Sequence, residues 1–170
     1  LARLYNDDDK LGSGEAKNSD ELISAFTEIF GDDFPWQGRA LNDLVEVTEQ
    51  EISSTVPLLL CSAPGHDVSG RVEAMARELK KELSSVAMGS SEGFGIADSL
   101  VNAASKRGTW VMLKNCHLCT DWLRESFVKI LHSLGAATHP DFRLFMTSEI
   151  NPRLPTALLR ISDIIIACLL

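Results

Sequence analysis

Five short apolar runs, separated by helical patterns, constrain the fold of this chain more than any other feature. The runs lie at 56–61, 85–88, 109–113, 142–146 and 163–168, and the helical patterns lie near 70–84, 92–106, 119–134 and 155–161. Short continuous apolar runs are typical of strands buried on both faces, and strands that alternate with helices form parallel sheets with right-handed crossovers. The sequence therefore predicts an α/β fold, a three-layer sandwich around a five-stranded parallel sheet.

The part of the chain that precedes these runs has a different composition. Residues 1–19 are polar, acidic and contain glycine, and we predict a flexible linker there. Residues 20–55 are predicted to be an N-terminal helical segment, with one helix from Ser19 or Asp20 to about Phe30 and a short helix within 41–51. The α/β subdomain then occupies residues 56–170.

Charge is distributed unevenly between these parts. The net charge is −8, from 16 basic and 24 acidic residues. Residues 1–55 hold 13 Asp or Glu and 4 Lys or Arg, a net charge of −9, so the remainder is close to neutral. Nucleic-acid binding requires a basic patch or stripe, and the sequence has none. We therefore expect no nucleic-acid partner.

Cysteine spacing and hydropathy exclude two further classes of function. Cys116-His117-Leu118-Cys119 has the spacing of metal ligands, but structural zinc needs four ligands and no second pair lies nearby. We predict buried thiols and no metal. The apolar run at 164–170 is shorter than the roughly 20 residues that span a membrane, and its β-branched content favours a buried strand. No membrane partner is expected.

The first apolar run leads into the segment Ser62-Ala63-Pro64-Gly65-His66-Asp67-Val68-Ser69, which lies where a phosphate-binding loop would lie. A working P-loop of the form G-x-x-G-x-G-K-[ST] wraps backbone N–H groups around phosphate and adds a lysine. Gly65 and Ser69 match this template, whereas Ser62 and Asp67 replace glycines and Val68 replaces the lysine. A carboxylate repels phosphate oxygens and valine supplies no cation. We interpret the segment as a degenerate P-loop that has lost hydrolysis and nucleotide binding.

Four motifs follow one another in the sequence. They are Pro64-Gly65 with Asp67 and Ser69-Gly70-Arg71-Val72, then Gly89-Ser90-Ser91-Glu92-Gly93-Phe94, then Trp110-Val111-Met112-Leu113-Lys114-Asn115-Cys116-His117-Leu118, and His139-Pro140-Asp141-Phe142-Arg143-Leu144-Phe145-Met146-Thr147-Ser148-Glu149-Ile150-Asn151-Pro152. In this order they resemble the dynein heavy chain family, and specifically the sixth and last AAA+ module of its motor ring, in a form similar to the cytoplasmic type. The resemblance covers at least residues 56–168 and, more loosely, residues 20–55.

The resemblance implies a parent that is an ATP-driven motor moving toward microtubule minus ends, in the cytoplasm and on the cytoskeleton. Six unequal modules would form its ring, and ATP and magnesium would be used in modules other than this one. The partners implied are the first and fifth modules of the same heavy chain, other dynein subunits and, for the parent, microtubules. A AAA+ module carries a helical lid after its fifth strand. We expect this chain to stop before that lid and to expose an apolar sheet edge at 163–170.

The resemblance also assigns places to individual residues. Lys114 and Asn115 stand where an active AAA+ site has Asp-Glu, of which the Asp organises Mg²⁺ and the Glu activates water. Thr147 and Ser148 match the polar sensor position, and we expect their hydroxyl groups to bond local backbone. Arg160 falls at the arginine-finger position, where a salt bridge to a neighbouring module is favoured over a finger. No catalytic, cofactor-binding or metal-binding residue is therefore expected.

Three functions stay open on the sequence alone. The first is a catalytically silent module that builds the ring and transmits force. The second is a regulatory module that binds nucleotide without hydrolysing it, for which Gly65, Ser69 and a helix N-terminus near residue 70 retain some affinity for anions. The third is an active hydrolase or kinase that uses Lys114 as its cation. It is disfavoured because no acidic Mg²⁺ ligand pairs with that lysine.

Overall fold

The computed structural model describes residues 2–6, 24, 27–28, 36–41 and 44–168. Within these residues one sheet holds seven strands: β1 (Ala2–Asn6), β2 (Trp36–Leu41), β3 (Leu58–Ser62), β4 (Leu83–Ala87), β5 (Trp110–Lys114), β6 (Arg143–Glu149) and β7 (Asp163–Cys168). The helices of these residues include α1 (Ser69–Glu78), α2 (Ser91–Arg107), α3 (residues 120–133) and α4 (Thr156–Ile161). Helix α3 is composite, with α-helical turns at Thr120–Trp122 and Val128–Ser133 on either side of a wider π-helical turn at Leu123–Phe127.

The strand order is β2-β1-β7-β3-β6-β5-β4, and every neighbouring pair in it is parallel. The five strands that the sequence predicts are contiguous in this order, from β7 to β4, so the five-stranded parallel core is confirmed. Strand β3 lies between β7 and β6, and the loop that follows it therefore emerges from the interior of the sheet. The carboxyl ends of all these strands lie at one edge.

Alternating side chains of the core strands pack into two separate hydrophobic clusters, one on each face of the sheet. Leu58 and Leu60 of β3 pack with α1 and the helical segment 44–51, whereas Leu59 and Cys61 pack with α2, α3 and α4. Strand β5 divides in the same way. Because successive side chains of a strand point to opposite faces, this arrangement follows directly from continuous apolar runs. The three-layer sandwich is confirmed.

Helix α2 shows how local sequence sets the limits of an element. Gly108 follows its last residue with a φ of +79°, and its N–H bonds to the carbonyl oxygen of Ala104 at 2.8 Å. Glycine adopts this left-handed conformation without strain and so terminates helices. Lys106 and Arg107 lie in the last turn, where positive charge is favourable to the helix dipole.

Strand β1 departs from the predicted linker, because residues 2–6 lie between β2 and β7 and pair with both. Five residues of β1 pair with five of β7, from Ala2 opposite Ile164 to Asn6 opposite Cys168. The expectation of an exposed apolar edge at β7 is therefore wrong, because β1 satisfies the ladder that β7 would otherwise leave open.

The short helix expected within 41–51 begins later than predicted, because Leu41 is the last residue of strand β2. Its helical turns are Leu44–Glu46 and Val47–Glu51. Of the helix predicted up to Phe30, the described residues Ser24, Thr27 and Glu28 are helical. The other residues of that helix, and residues 7–19 of the linker, lie outside the described residues. In the described part of the chain, every helix is too short or too polar to cross a membrane.

We predict opposite effects of alanine at two glycines of α2. At Gly93 an added Cβ would lie 2.7 Å from the backbone carbonyl oxygen of Ala87, whereas nothing lies within 4 Å of the corresponding position at Gly95. Gly93→Ala should lower the free energy of unfolding by about 1–3 kcal/mol through steric strain. Gly95→Ala should raise it by about 0.5–1 kcal/mol through helix propensity. Urea titration of both variants measures this, and equal effects would contradict the packing described for Gly93.

Candidate functional site

The degenerate P-loop runs from Ser62, the last residue of β3, to Ser69, the first residue of α1. His66 N–H bonds to the carbonyl oxygen of Ala63 at 3.1 Å, and Gly65 within this turn has a φ of +83°. The hydroxyl group of Ser62 donates to the carbonyl oxygen of His66 at 2.8 Å. The loop is thus a tight turn that Gly65 permits and that Ser62 braces from within.

Two backbone N–H groups of this loop already have carboxylate acceptors from the chain itself. Gly65 N–H donates to Oε1 of Glu149 at 2.9 Å, and Ser69 N–H donates to Oδ1 of Asp67 at 2.8 Å. In a working P-loop, N–H groups of this segment and of the following helix N-terminus bond to phosphate oxygens. Here internal anions occupy both donors, so these donors are not available to an external phosphate without displacement of a side chain.

Val68, at the position of the P-loop lysine, is 1% exposed and packs in the same cluster as Val72 and Met75 of α1. Its side chain is therefore part of the hydrophobic core on that face of the sheet. Valine at this position supplies no charge to the loop.

Lys114, at the end of β5, forms an ion pair with a partner that we did not predict. Its Nζ lies 2.8 Å from Oε1 of Glu73, on α1, with side chains that are 25% and 40% exposed. Lys114 thus places a cation at the carboxyl end of β5, against helix α1. The carboxylate of Glu73 compensates this charge, and no metal ion is required to balance it.

The pKa of the Asp67 carboxyl group is held below its ordinary value. The Ser69 side chain lowers this pKa most, partial burial opposes the shift, and the Ser69 N–H and the positive charge of Lys114 lower the pKa further. The Ser69 hydroxyl oxygen is buried and makes no hydrogen bond of ordinary geometry within the described residues. Asp67 remains ionised where a phosphate would need a neutral or positive surface.

The residues at the remaining nucleotide-site positions are bonded to backbone. Asn115 has a left-handed conformation, with a φ of 59°, and its N–H donates to Oγ1 of Thr147 at 3.2 Å. The Ser148 hydroxyl donates to the carbonyl oxygen of Glu149 at 2.8 Å. The Ser148 hydroxyl thus bonds adjacent backbone, whereas the Thr147 hydroxyl bonds the backbone of Asn115 after the neighbouring strand. A side-chain amide at Asn115 cannot accept a proton from water.

His117 joins the strand ends of β5 and β6. Its Nδ1 accepts a hydrogen bond from Glu149 N–H at 3.1 Å, and its Nε2 lies 3.8 Å from Oε2 of the same residue. The described residues contain no group of three His, Cys, Asp or Glu arranged to hold a metal.

The cysteines of the described core are buried, reduced thiols. Cys116 Sγ donates to the carbonyl oxygen of Leu113, and Cys119 Sγ donates to that of Cys116, both at 3.4 Å. Burial raises the pKa of the Cys61 thiol to about 12, and it also raises the pKa of Cys116. The Cys61 and Cys116 thiols, held protonated in this way, are poor nucleophiles and poor metal ligands, whereas a hydrogen bond with the Cys116 side chain lowers the pKa of Cys119.

Arg160 lies at the opposite end of the sheet from the loop. It is exposed on α4 and lines a cavity of about 440 Å³ together with residues that flank the starts of β3 and β7, among them Val56 and Asp163. Strand β3 spans Leu58–Ser62 between that cavity and the loop, roughly 16 Å at a strand rise of about 3.3 Å per residue. The structure therefore does not bring Arg160 to the P-loop of its own module.

Two acidic residues of the site were missed by the sequence argument. Glu73 and Glu149 are the partners of Lys114 and of Gly65, yet each is an ordinary surface-type residue in the sequence. A weak signal existed for Glu149, because it directly follows the sensor-position pair at the end of β6, where strand ends converge. Glu73 lies four residues after Ser69 and so on the same side of α1, which is a comparable signal.

The profile of the dynein heavy chain region D6 P-loop domain matches residues 53–166 of this chain. A cytoplasmic dynein heavy chain of Dictyostelium discoideum is 46% identical over 158 residues, which cover 88% of this chain and 3% of that protein. A cytoplasmic dynein heavy chain of Caenorhabditis elegans is 44% identical over 137 residues, 81% of this chain and 3% of the relative. The flagellar outer arm dynein beta chain of Chlamydomonas reinhardtii is 37% identical over 119 residues, 67% of this chain and 3% of the relative. The chain thus spans about 3% of the length of these relatives.

We predict that the Asp67 pKa responds to its two neighbours unequally. Ser69→Ala should raise the pKa of Asp67 more than Lys114→Met does, because the serine side chain is the largest cause of the lowered value. Carboxyl-carbon NMR titration measures both, and Ser91→Ala on α2 is a control that should leave Asp67 unchanged.

The same shift has a consequence for stability against pH. Because the folded-state pKa of Asp67 lies below the unfolded value, its carboxylate stabilises the fold above the unfolded pKa, and this contribution is lost as pH falls through the folded pKa. Ser69→Ala should therefore make stability less dependent on pH in that acidic window. A larger acid dependence in the variant would contradict the assignment.

Proposed function

The chain belongs to the dynein heavy chain family, as its D6 P-loop domain, and from this membership we propose that it is a segment of an ATP-driven motor that moves toward microtubule minus ends. In that heavy chain the segment is the large α/β subdomain of the sixth AAA+ module. Its role is structural: it completes the ring and transmits force, and it does not hydrolyse ATP. The parent works in the cytoplasm on microtubules, with ATP and Mg²⁺ bound in other modules.

The observation that carries this proposal is the inverted charge of the pocket. Asp67 and Glu149 hold the N–H groups that phosphate would need, and Lys114 lies where Mg²⁺ would need an anion. A bound MgATP would have to displace the carboxylates from their donors and bring its magnesium toward an ammonium group. Each step opposes binding by like-charge repulsion. The residues present therefore do not fit MgATP.

Hydrolysis also lacks the groups that perform it. Phosphoryl transfer depends on Mg²⁺ bridging the phosphates, a cation on the transferring group and a residue that orients the attacking water. Val68, at the position of the P-loop lysine, is buried in the core. The two positions at the end of β5 that are acidic in an active AAA+ site are Lys114 and Asn115 in this chain. Loss of one good electrostatic contributor typically costs about 100- to 1000-fold in rate. The combined loss leaves no useful turnover.

A force-transmitting role is supported by the ties between the strand ends. Glu149 bonds to the loop after β3, His117 bonds to Glu149, and Thr147 bonds to Asn115 after β5. Three strand ends are thus linked by the chain itself, so the module does not need nucleotide to set their relative positions. The first and fifth modules of the same heavy chain are the proposed neighbours. Arg160, exposed at the far end, is a candidate ion-pair contact with one of them.

A second candidate is supported by one specific observation. The hydroxyl oxygen of Ser69 is buried at the N-terminus of the ten-residue helix α1 and has no hydrogen-bond partner in the described residues. A buried polar atom of this kind is costly and is a recurrent feature of ligand sites. It favours a module that binds nucleotide, without hydrolysing it, after Asp67 and Glu149 move aside.

Calorimetric titration separates the two candidates. Addition of MgATP or MgADP to the chain should give no binding stronger than about 1 mM, because Glu149 and Asp67 occupy the N–H donors that phosphate would need. Micromolar binding that Ser69→Ala weakens would overturn the structural role in favour of the nucleotide-binding one. Lys114→Ala is the matched control for the disfavoured hydrolase, and it should leave any phosphate release from the preparation unchanged.

A further inference from the structure

We propose that the Glu149 carboxylate is a built-in substitute for phosphate that keeps the degenerate P-loop closed without a ligand. The inference rests on the proposed function, since a module that binds no nucleotide needs another anion for the N–H group of its loop. Glu149 comes from the end of β6, and its Oε1 accepts from Gly65 N–H at 2.9 Å, across 84 residues of sequence. The contact is therefore a tertiary tie between two strand ends.

The choice of acceptor is informative because Gly65 is exposed. A buried N–H group needs a protein acceptor, but an exposed one can bond to water. Gly65 is exposed, so its bond to the distant Glu149 side chain is not a requirement of burial. A hydrogen bond to an ionised carboxylate is shorter and stronger than one to a neutral acceptor, and in this respect a carboxylate oxygen resembles a phosphate oxygen. The donor that would hold phosphate is thus used by a side chain of similar charge and chemistry.

His117 is the residue that positions Glu149. Its Nδ1 accepts the Glu149 N–H at 3.1 Å, so the neutral ring carries its proton on Nε2. That Nε2 lies 3.8 Å from Oε2, the carboxylate oxygen that does not contact Gly65. One imidazole therefore touches both the backbone and the side chain of Glu149. The carboxylate is held between the histidine and the glycine.

Two carboxylates occupy N–H donors of the loop, and only one of them can be recognised from the P-loop template. Asp67 is visible in the sequence as a substitution in the P-loop template, and its carboxylate occupies the N–H of Ser69. Glu149 lies at the end of β6, outside the segment that the P-loop template covers, so the template does not identify it. Its carboxylate occupies the N–H of Gly65. Restoring a glycine at position 67 would therefore leave one donor still blocked.

Hydrogen–deuterium exchange of the intact heavy chain, read by mass spectrometry on peptides that contain Gly65, tests the proposal without added nucleotide. Glu149→Ala should accelerate exchange of the loop about tenfold, the effect of losing one charge-assisted hydrogen bond. Glu149→Gln keeps the volume and the acceptor but removes the charge, and it should have a smaller effect. Peptides from β5 should be unchanged in both variants, which verifies that the fold is retained.

His117→Ala supplies the second arm of the test. It should accelerate exchange of the same loop, and the double variant should exchange no faster than Glu149→Ala alone, because both residues act through one contact. Glu125→Ala, which removes an exposed carboxylate on α3, is the matched control and should have no effect.

Three results would overturn the proposal. They are an unchanged exchange rate of the loop in Glu149→Ala, an exchange rate in Glu149→Gln equal to that of the native chain, and additive effects of Glu149→Ala and His117→Ala on the exchange rate in the double variant. These outcomes are distinct from failure of the proposed function. Micromolar MgADP binding by the native chain would refute the silent module whatever the exchange rates are. Unchanged exchange in Glu149→Ala would refute the internal anion even if the pocket binds nothing.

Discussion

Burial of the core strands on both faces is the constraint on which the rest of the structure depends. Strands β3, β5 and β6 run parallel with helices packed on both faces, so their carboxyl ends meet at one edge of the sheet. That edge brings together the loop after β3, the Lys114-Asn115 pair and the Thr147–Glu149 segment. The site is a consequence of the packing, whether or not any ligand binds to it.

Charges at this edge are balanced within the chain. The Lys114–Glu73 pair is partly exposed, and pairs of this kind typically contribute about 0.2–1 kcal/mol to stability. Such a pair does not hold the fold together, since a few apolar side chains of the adjacent core contribute more. The pair fixes an ammonium group at the carboxyl end of β5. The carboxylates of Asp67 and Glu149 hold N–H groups of the neighbouring loop.

The sequence predicts the parts of this structure that depend on local pattern. Apolar runs identify all five core strands, of which β3, β5 and β6 are almost entirely buried whereas the edge strand β4 is only partly buried, and Gly65 and Ser69 locate the loop by spacing. Strand β1 was missed because five residues with one tyrosine and one leucine carry no strong signal, and its pairing with β7 joins residues more than 150 positions apart. Glu73 and Glu149 were missed for the same physical reason. Their partners lie 41 and 84 residues away along the chain.

The position of β1 gives the domain a mechanical property. Residues 2–6 run parallel to residues 163–168, so tension applied between Ala2 and Cys168 pulls the two strands in opposite directions along their common axis. In this geometry the backbone bonds of the ladder are loaded together, in shear, and all must fail at nearly the same extension. A hairpin pulled from its open end would instead unzip one bond after another. The pairing of β1 with β7 therefore resists tension that is applied along the strand axis between Ala2 and Cys168.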